Sequence, residues 1–237
     1  MKILVIGGMH GNEPLGIELV ELLTKDAIKG VDTLIANKPA VNANCRFIGQ
    51  DLNRSFPGDD RSSSYEPKRA AQILKQTTRY DVVLDFHNTY CSENDCGFIG
   101  EKASSKLREI AWLLGLQKII VADYNCINKF ATNCLSVEIS LDSLLNNVEL
   151  WYDRLRMLSK LDDISTTPNI EAYRFVYRMT LDDKKRLQLD KQNLTAFRPM
   201  NAKLASAMGV KSPAYPIFIG DNFTPYNYGG VLNKIEP

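Results

Sequence analysis

The chain has 237 residues and 44% hydrophobic content, enough for one large domain or for a substantial domain with a small appendage. Its 29 basic and 28 acidic residues leave a net charge of +1, which gives no electrostatic footprint for nucleic acid or an anionic membrane. No apolar run approaches the ~20 residues of a membrane span, and the N-terminus enters a strand without a signal-peptide pattern. The five cysteines are irregularly spaced, so we expect a cytoplasmic protein with reduced thiols. A pairing or metal role for Cys91 and Cys96 is the lesser alternative, because the SEND between them reads as a loop.

Strand and helix signals alternate from the start. Residues 2–7 read as a short apolar strand, 14–23 as a helix opened by Pro14, 31–37 as a strand, 66–76 as a helix and 80–86 as a strand. A helix over 104–114, strands over 118–122 and 135–141, and a helix over 143–158 follow. Continuous apolar strands such as DVVLDF suit a parallel or mixed sheet covered on both faces. The pattern predicts a three-layer α/β domain over residues 1–162. Beyond it, 172–180 alternates like a strand with one wet face, 215–219 reads as another strand, and no long helix lies between. Residues 163–237 are therefore expected to form a small β-rich C-terminal domain capping the site.

The chain has only two histidines, and each falls where a strand meets a loop. His10 lies in KILVIGGMHGNEPLG, three residues before Glu13, and His87 closes YDVVLDFHNT. Two imidazoles, one carboxylate and an open position make the donor set of a catalytic zinc, whereas closed structural sites carry four protein ligands. Open α/β sheets place their sites at the carboxyl ends of strands, which favours this reading over a capped turn with Glu13 at a helix N-terminus. Between the two histidine segments, NANCRFIGQDLNRSFPGDD holds Arg46, Asp51, Asn53 and Arg54. Guanidinium groups can stabilise a developing oxyanion and bind a carboxylate bidentately. The same residues also fit a solvated loop whose arginines pair with Asp51, Asp59 or Asp60. Glu138, inside the apolar run CLSVEISL, is the candidate general base if that strand is buried; on the wet face of an edge strand it would be a surface residue.

The order HGNEPLG, NKPAVNANCRFIGQDLNRSFP, DFHNT and an apolar strand bearing Glu resembles the aspartoacylase / succinylglutamate desuccinylase family, itself related to the zinc carboxypeptidases. The likeness covers residues 1–140 and continues faintly to YPIFIGDN, which looks like the family's closing β domain. It implies a zinc-carboxypeptidase-like fold and one Zn2+ per chain held by His10, Glu13 and His87. It also implies that Arg46 stabilises the oxyanion, that Asn53 and Arg54 hold the substrate α-carboxylate, and that Glu138 moves the proton from attacking water to the leaving amine. The implied reaction is hydrolysis of a small N-acyl amino acid, and DFHNT and DLNR lean toward the aspartoacylase branch. That branch reads the aspartate side chain with a tyrosine and, four residues on, an arginine. Matching these to KFATNC places Phe130 and Cys134 there, which makes N-acetylaspartate a doubtful substrate. ISLDSLLNN replaces a Gly- and Pro-rich segment after the base. A C-terminal aromatic hydroxyl is assigned to Tyr226 or Tyr228. The rival readings are a carboxypeptidase-like peptidase and a metal-retaining binding protein without turnover; homo-oligomer formation is left open.

Overall fold

A computed structural model describes residues 1–90, 93–161, 167–190, 193–220 and 227–236. In chain order the elements are β1 (Ile3–Gly7), α1 (Pro14–Lys25), β2 (Val31–Ile35), α2 (Lys38–Asn42), α3 (Tyr65–Thr77), β3 (Val82–Thr89), β4 (Cys96–Ile99), α4 (Lys106–Leu113), β5 (Lys118–Val121) and α5 (Ile127–Phe130). There follow β6 (Cys134–Ser140), α6 (Val148–Leu158), β7 (Glu171–Thr180), α7 (Leu181–Leu187), α8 (Ala202–Ala207), β8 (Tyr215–Ile217) and β9 (Asn227–Ile235). All nine strands join one sheet in the order β2-β1-β3-β6-β4-β5-β7-β9-β8. The mixed α/β sheet expected from the sequence is what forms. The segment after residue 163 extends that sheet, because β7 pairs parallel to β5 and carries β9 and β8 antiparallel beyond it.

Every residue of β3 is buried, which explains why its first half is apolar on both faces. On one face Leu84 and Phe86 meet α1, α4 and α6 through Leu19, Ile110 and Trp151. On the other, Val83 joins Ala70 of α3 and Ile127 of α5. The edge-to-face contact of Phe86 with Trp151, centroids 5.1 Å apart, pins α6 against the sheet. Helix α1 approaches unusually closely: a Cβ on Gly16 would lie 2.8 Å from the Phe86 Cβ, and one on Gly7 would lie 2.0 Å from the Gly16 carbonyl oxygen. These two glycines let the chain leave β1 and return tightly over β3.

Several elements escaped the sequence reading, namely α2, β4, α5, α7, α8 and β9. Helix α2 is a single turn capped by Asn37. Strand β4 is four residues long, lies between β6 (antiparallel) and β5 (parallel), and follows a stretch of sequence with no periodic signal. Strand β9 is masked by Gly229 and Gly230, which read as a loop but lie where side chains would collide: a Cβ on Gly230 would stand 2.5 Å from the Phe175 ring.

Candidate active site

The carboxyl ends of β1, β3 and β6 open into a cavity of about 430 Å³ whose lining includes His10, Glu13, Arg46, Asn53, Arg54 and Glu138. Parallel pairing of β3 with β6 sets three successive rows on that face: Val83 beside Cys134, Asp85 beside Ser136, and His87 beside Glu138. Apolar, polar and chemically active side chains thus follow one another toward the cavity with the period of two that strands impose. Strand β6 is central rather than an edge, which removes the surface reading of Glu138. Glu138 is half-buried and lines the cavity.

Glu13 is the N-cap residue of α1, yet its side chain makes no capping bond. Its two carboxylate oxygens instead meet His10 Nδ1 at 2.7 Å and His87 Nδ1 at 2.8 Å. Asn88 takes over the cap, its Oδ1 accepting the Leu15 N–H at 2.9 Å, while its own N–H points to Glu13 at 3.3 Å. Ligand-type atoms of His10, Glu13 and His87 all lie within 4.8 Å of one another, with each side chain buried. The outer nitrogens are held as metal-binding imidazoles usually are, by carboxylates. His10 Nε2 lies 3.1 Å from Asp51 and His87 Nε2 lies 2.8 Å from Asp85. Nitrogen, nitrogen and oxygen donors, each backed by a second polar partner, fit a small divalent cation, and zinc in particular by donor type. Without a cation, burial opposes charge on His87, but Asp85 and Glu13 outweigh it and hold the imidazole well above its usual range. Burial likewise opposes the Glu13 carboxylate, and the two histidines pull its pKa down in spite of it. A cation bound at this cluster would therefore displace a proton.

Arg46 reaches the cluster from the loop after α2, donating to Glu13 at 3.3 Å and to Asp51 at 3.1 Å. Burial disfavours the Asp51 carboxylate, but His10, Arg46 and Arg54 lower its pKa. Asp51 also accepts the Asn53 N–H at 2.9 Å, which tightens the DLNR turn. Asn53 is buried, and its Oδ1 accepts the Ile127 N–H at 3.3 Å, leaving the amide hydrogens for the cavity. The ion pair of Arg46 with Asp51 anticipated as a surface feature thus exists, but inside the site.

Some expected contacts do not form. Phe130 packs against the apolar cluster of Leu4, Ile6 and Ile127 and is not among the cavity-lining residues. Cys134 is fully buried at the start of β6. Among the described residues, the aromatic hydroxyl that lines the cavity is that of Tyr124, six residues before Phe130. Tyr228 points away, into the cluster of Met179, Leu189 and Leu194, with Lys184 4.8 Å above its ring. A second bulge accompanies this: from Met179 to Thr180 β7 advances one residue while β9 passes from Gly229 to Asn227, so Tyr228 is the extra residue there. Tyr226 and Cys91 lie outside the described residues.

Arg178 lines the cavity and was not anticipated. Strict alternation over AYRFVYRMT would group it with Arg174, which pairs with Glu101 at the surface. Between Phe175 and Tyr177, however, β7 advances two residues while β9 advances one, so Val176 is an extra residue in a bulge. The bulge reverses the alternation and turns Phe175 and Arg178 to the same side. Arg178 stands 5.6 Å from the centroid of Tyr124, and Arg54 stands 4.8 Å from the same ring. Phe47, Phe175 and Phe218 supply apolar wall, with Phe218 stacked on Phe98 at 5.9 Å. Asp85 was also omitted, although it was legible: D-x-H on a strand puts both side chains on one face.

Residues 1–126 match the succinylglutamate desuccinylase/aspartoacylase catalytic domain family. An N-acyl-aromatic-L-amino acid amidohydrolase (carboxylate-forming) of Xenopus laevis is 36% identical over 104 residues, covering 37% of this chain and 34% of that protein. The chain thus matches about a third of the length of that curated relative. Among solved structures, a succinylglutamate desuccinylase from Chromobacterium violaceum superposes with a TM-score of 0.74 at 17% identity, covering 100% of this chain and 85% of the other. Murine aminoacylase 3 gives 0.72 at 19% identity, covering 99% and 95%. At these identities the two structures bear on the fold.

Proposed function

This chain belongs to the succinylglutamate desuccinylase/aspartoacylase family, and from that premise we propose that it hydrolyses the amide bond of small N-acyl amino acids using one zinc ion held by His10, Glu13 and His87. The observation that carries the proposal is the row formed by His87 and Glu138 on adjacent central strands, with Glu13 and His10 closing on it across the cavity floor. Zinc, when bound, supplies polarisation of the scissile carbonyl and activation of water.

The protein supplies the remaining parts. Glu138 takes the proton of the attacking water and returns it to the leaving nitrogen, a task suited to a half-buried carboxylate. Arg46, oriented by Glu13 and Asp51, faces the developing oxyanion. Asn53 and Arg54 bind the α-carboxylate, which fixes the amide over the metal position. Phe47, Phe175 and Phe218 limit water and give the acyl group an apolar surface.

The doubt about N-acetylaspartate rested on Phe130 and Cys134 facing the substrate, and neither lines the cavity. A third guanidinium, Arg178, is present at the wall beside Arg46 and Arg54, so substrates with acidic side chains are compatible with the site. The restricted cavity favours small substrates over the peptides of a carboxypeptidase-like enzyme. The test is amine release from a panel of N-acetyl, N-formyl and N-succinyl amino acids, comparing zinc-loaded and chelated protein. Zinc-dependent release from at least one member is expected. Silence across the panel, from protein that holds one zinc, would overturn the amidohydrolase reading in favour of a peptidase or a binding protein.

A further inference from the structure

A buried polar chain stands behind His87. Asp85, Ser136 and Asn128 are 0%, 3% and 3% exposed, which makes each unsatisfied proton or lone pair costly. Both hydrogens of the Asn128 amide go to main chain, reaching the Phe98 carbonyl at 3.0 Å and the Cys134 carbonyl at 3.1 Å. Its Oδ1 is thereby aimed at the Ser136 hydroxyl, 2.9 Å away. That hydroxyl has one proton and two acceptors in reach, the second being Asp85 Oδ2 at 3.3 Å. The same Asp85 oxygen receives His87 Nε2 at 2.8 Å, and Asp85 Oδ1 has no partner among the described residues.

We infer that Asn128 is a positioning residue for His87: by accepting the Ser136 proton it keeps that hydroxyl off Asp85, so the carboxylate serves the His87 Nε2–H alone. A second donor on Asp85 would share its charge and loosen its hold on the imidazole, whose Nδ1 must face Glu13 and the metal position. Asn128 touches neither ligand nor reacting atoms; it acts through the direction of one hydrogen bond. The inference rests on the reading of His87 as a metal ligand.

The arrangement makes a prediction opposite to ordinary intuition about supporting hydroxyls. Ser136→Ala removes a rival donor and is expected to leave zinc affinity within about twofold of the parent, where loss of a supporting contact would cost about 10–100-fold. Asn128→Leu frees the Ser136 proton to turn to Asp85 and is expected to weaken zinc about tenfold. The double variant Asn128→Leu/Ser136→Ala is expected to recover the parent affinity. Chelator competition at fixed pH measures all four proteins. Tenfold loss in Ser136→Ala, or no recovery in the double variant, would overturn the inference and leave Asn128 a structural residue.

If Asn128→Leu does not fold, Ser136→Ala alone decides, together with the proton resonance of His87 Nε2–H in the metal-free protein. That resonance is expected to stay downfield and protected in Ser136→Ala, and its loss there would also overturn the inference. A parent protein that binds no zinc would instead refute the metal reading, while the resonance would still report the proton arrangement.

Discussion

Along β1, β3 and β6 the first residues are apolar on both faces and the polar side chains gather at the carboxyl ends; along β7 and β9 polar residues recur throughout and a bulge reverses the alternation. The first region carries the cluster of His10, Glu13 and His87 with Glu138, and the second lends the cavity Phe175, Arg178 and the bare backbone of Gly229 and Gly230. The comparison teaches a division of labour. On the proposed function, the chemistry sits where the backbone is fixed by burial on both faces, and reading of the substrate side chain sits where one extra residue re-aims Arg178.

The strongest way to break that division is Glu138→Gln. If the central strands hold the chemistry, the variant loses about 10²–10⁴-fold in kcat while keeping one zinc, because the proton carrier is gone and the ligands are not. Loss of zinc together with activity would move Glu138 into the metal site; an unchanged rate would end its role as base. Arg178→Ala probes the other side. With a substrate bearing a second carboxylate, KM should rise by about 10–100-fold with little change in kcat, as expected for removal of a charged hydrogen bond of about 1.5–3 kcal/mol. Substrates with neutral side chains should be indifferent, and an equal effect on both would refute a role in selection.

The smallest effect concerns stability. Asp183 sits in a capping box at the start of α7, accepting from Tyr177, Thr180 and Arg186. Burial opposes its ionisation, but the Thr180 N–H, Arg186 and Tyr177 outweigh it and lower its pKa from 3.8 to about 2. A depressed carboxylate stabilises the fold above its unfolded pKa, so this contribution is full above about pH 4 and is lost as pH falls toward 2. Asp183→Ala should cost about 1–2 kcal/mol at neutral pH, as lost caps do, and leave kcat unchanged. Calorimetry across pH 2–7 would show the parent and variant converging in acid, and a coupled loss of kcat would argue that the two regions are less separable than proposed.

Legibility in the sequence followed the same division. Continuous apolar runs located β1, β3, β5 and β6 to within a few residues, since burial on both faces leaves little freedom in composition. His10, Glu13 and His87 were legible because two histidines in a whole chain stand out, and Asn53 and Arg54 through the motif around them. Arg178 was not, since no residue type announces Val176 as an extra position, and alternation argued for the wrong face. Tyr124 was missed because a lone tyrosine in an irregular segment gives no sign of the cavity it lines. Short elements such as β4 and α5 owe their form to neighbours rather than to any pattern of their own.

The cap supplied by Asn88 has a consequence for the order of assembly. His10 and Glu13 are made more than seventy residues before His87, three residues apart, and could trap a cation on a nascent chain if they were free to converge. The residue that caps α1 in place of Glu13 lies on β3, beside the third ligand, more than seventy residues later. Until β3 docks, the exposed first turn of α1 competes for the Glu13 carboxylate, as helix N-termini do. The arrival of a single strand then releases Glu13, seals the helix and delivers His87 together. On the proposed metal site, capture would wait until the sheet has registered, and a chain that misregisters β3 would lose the helix end and the metal centre at once.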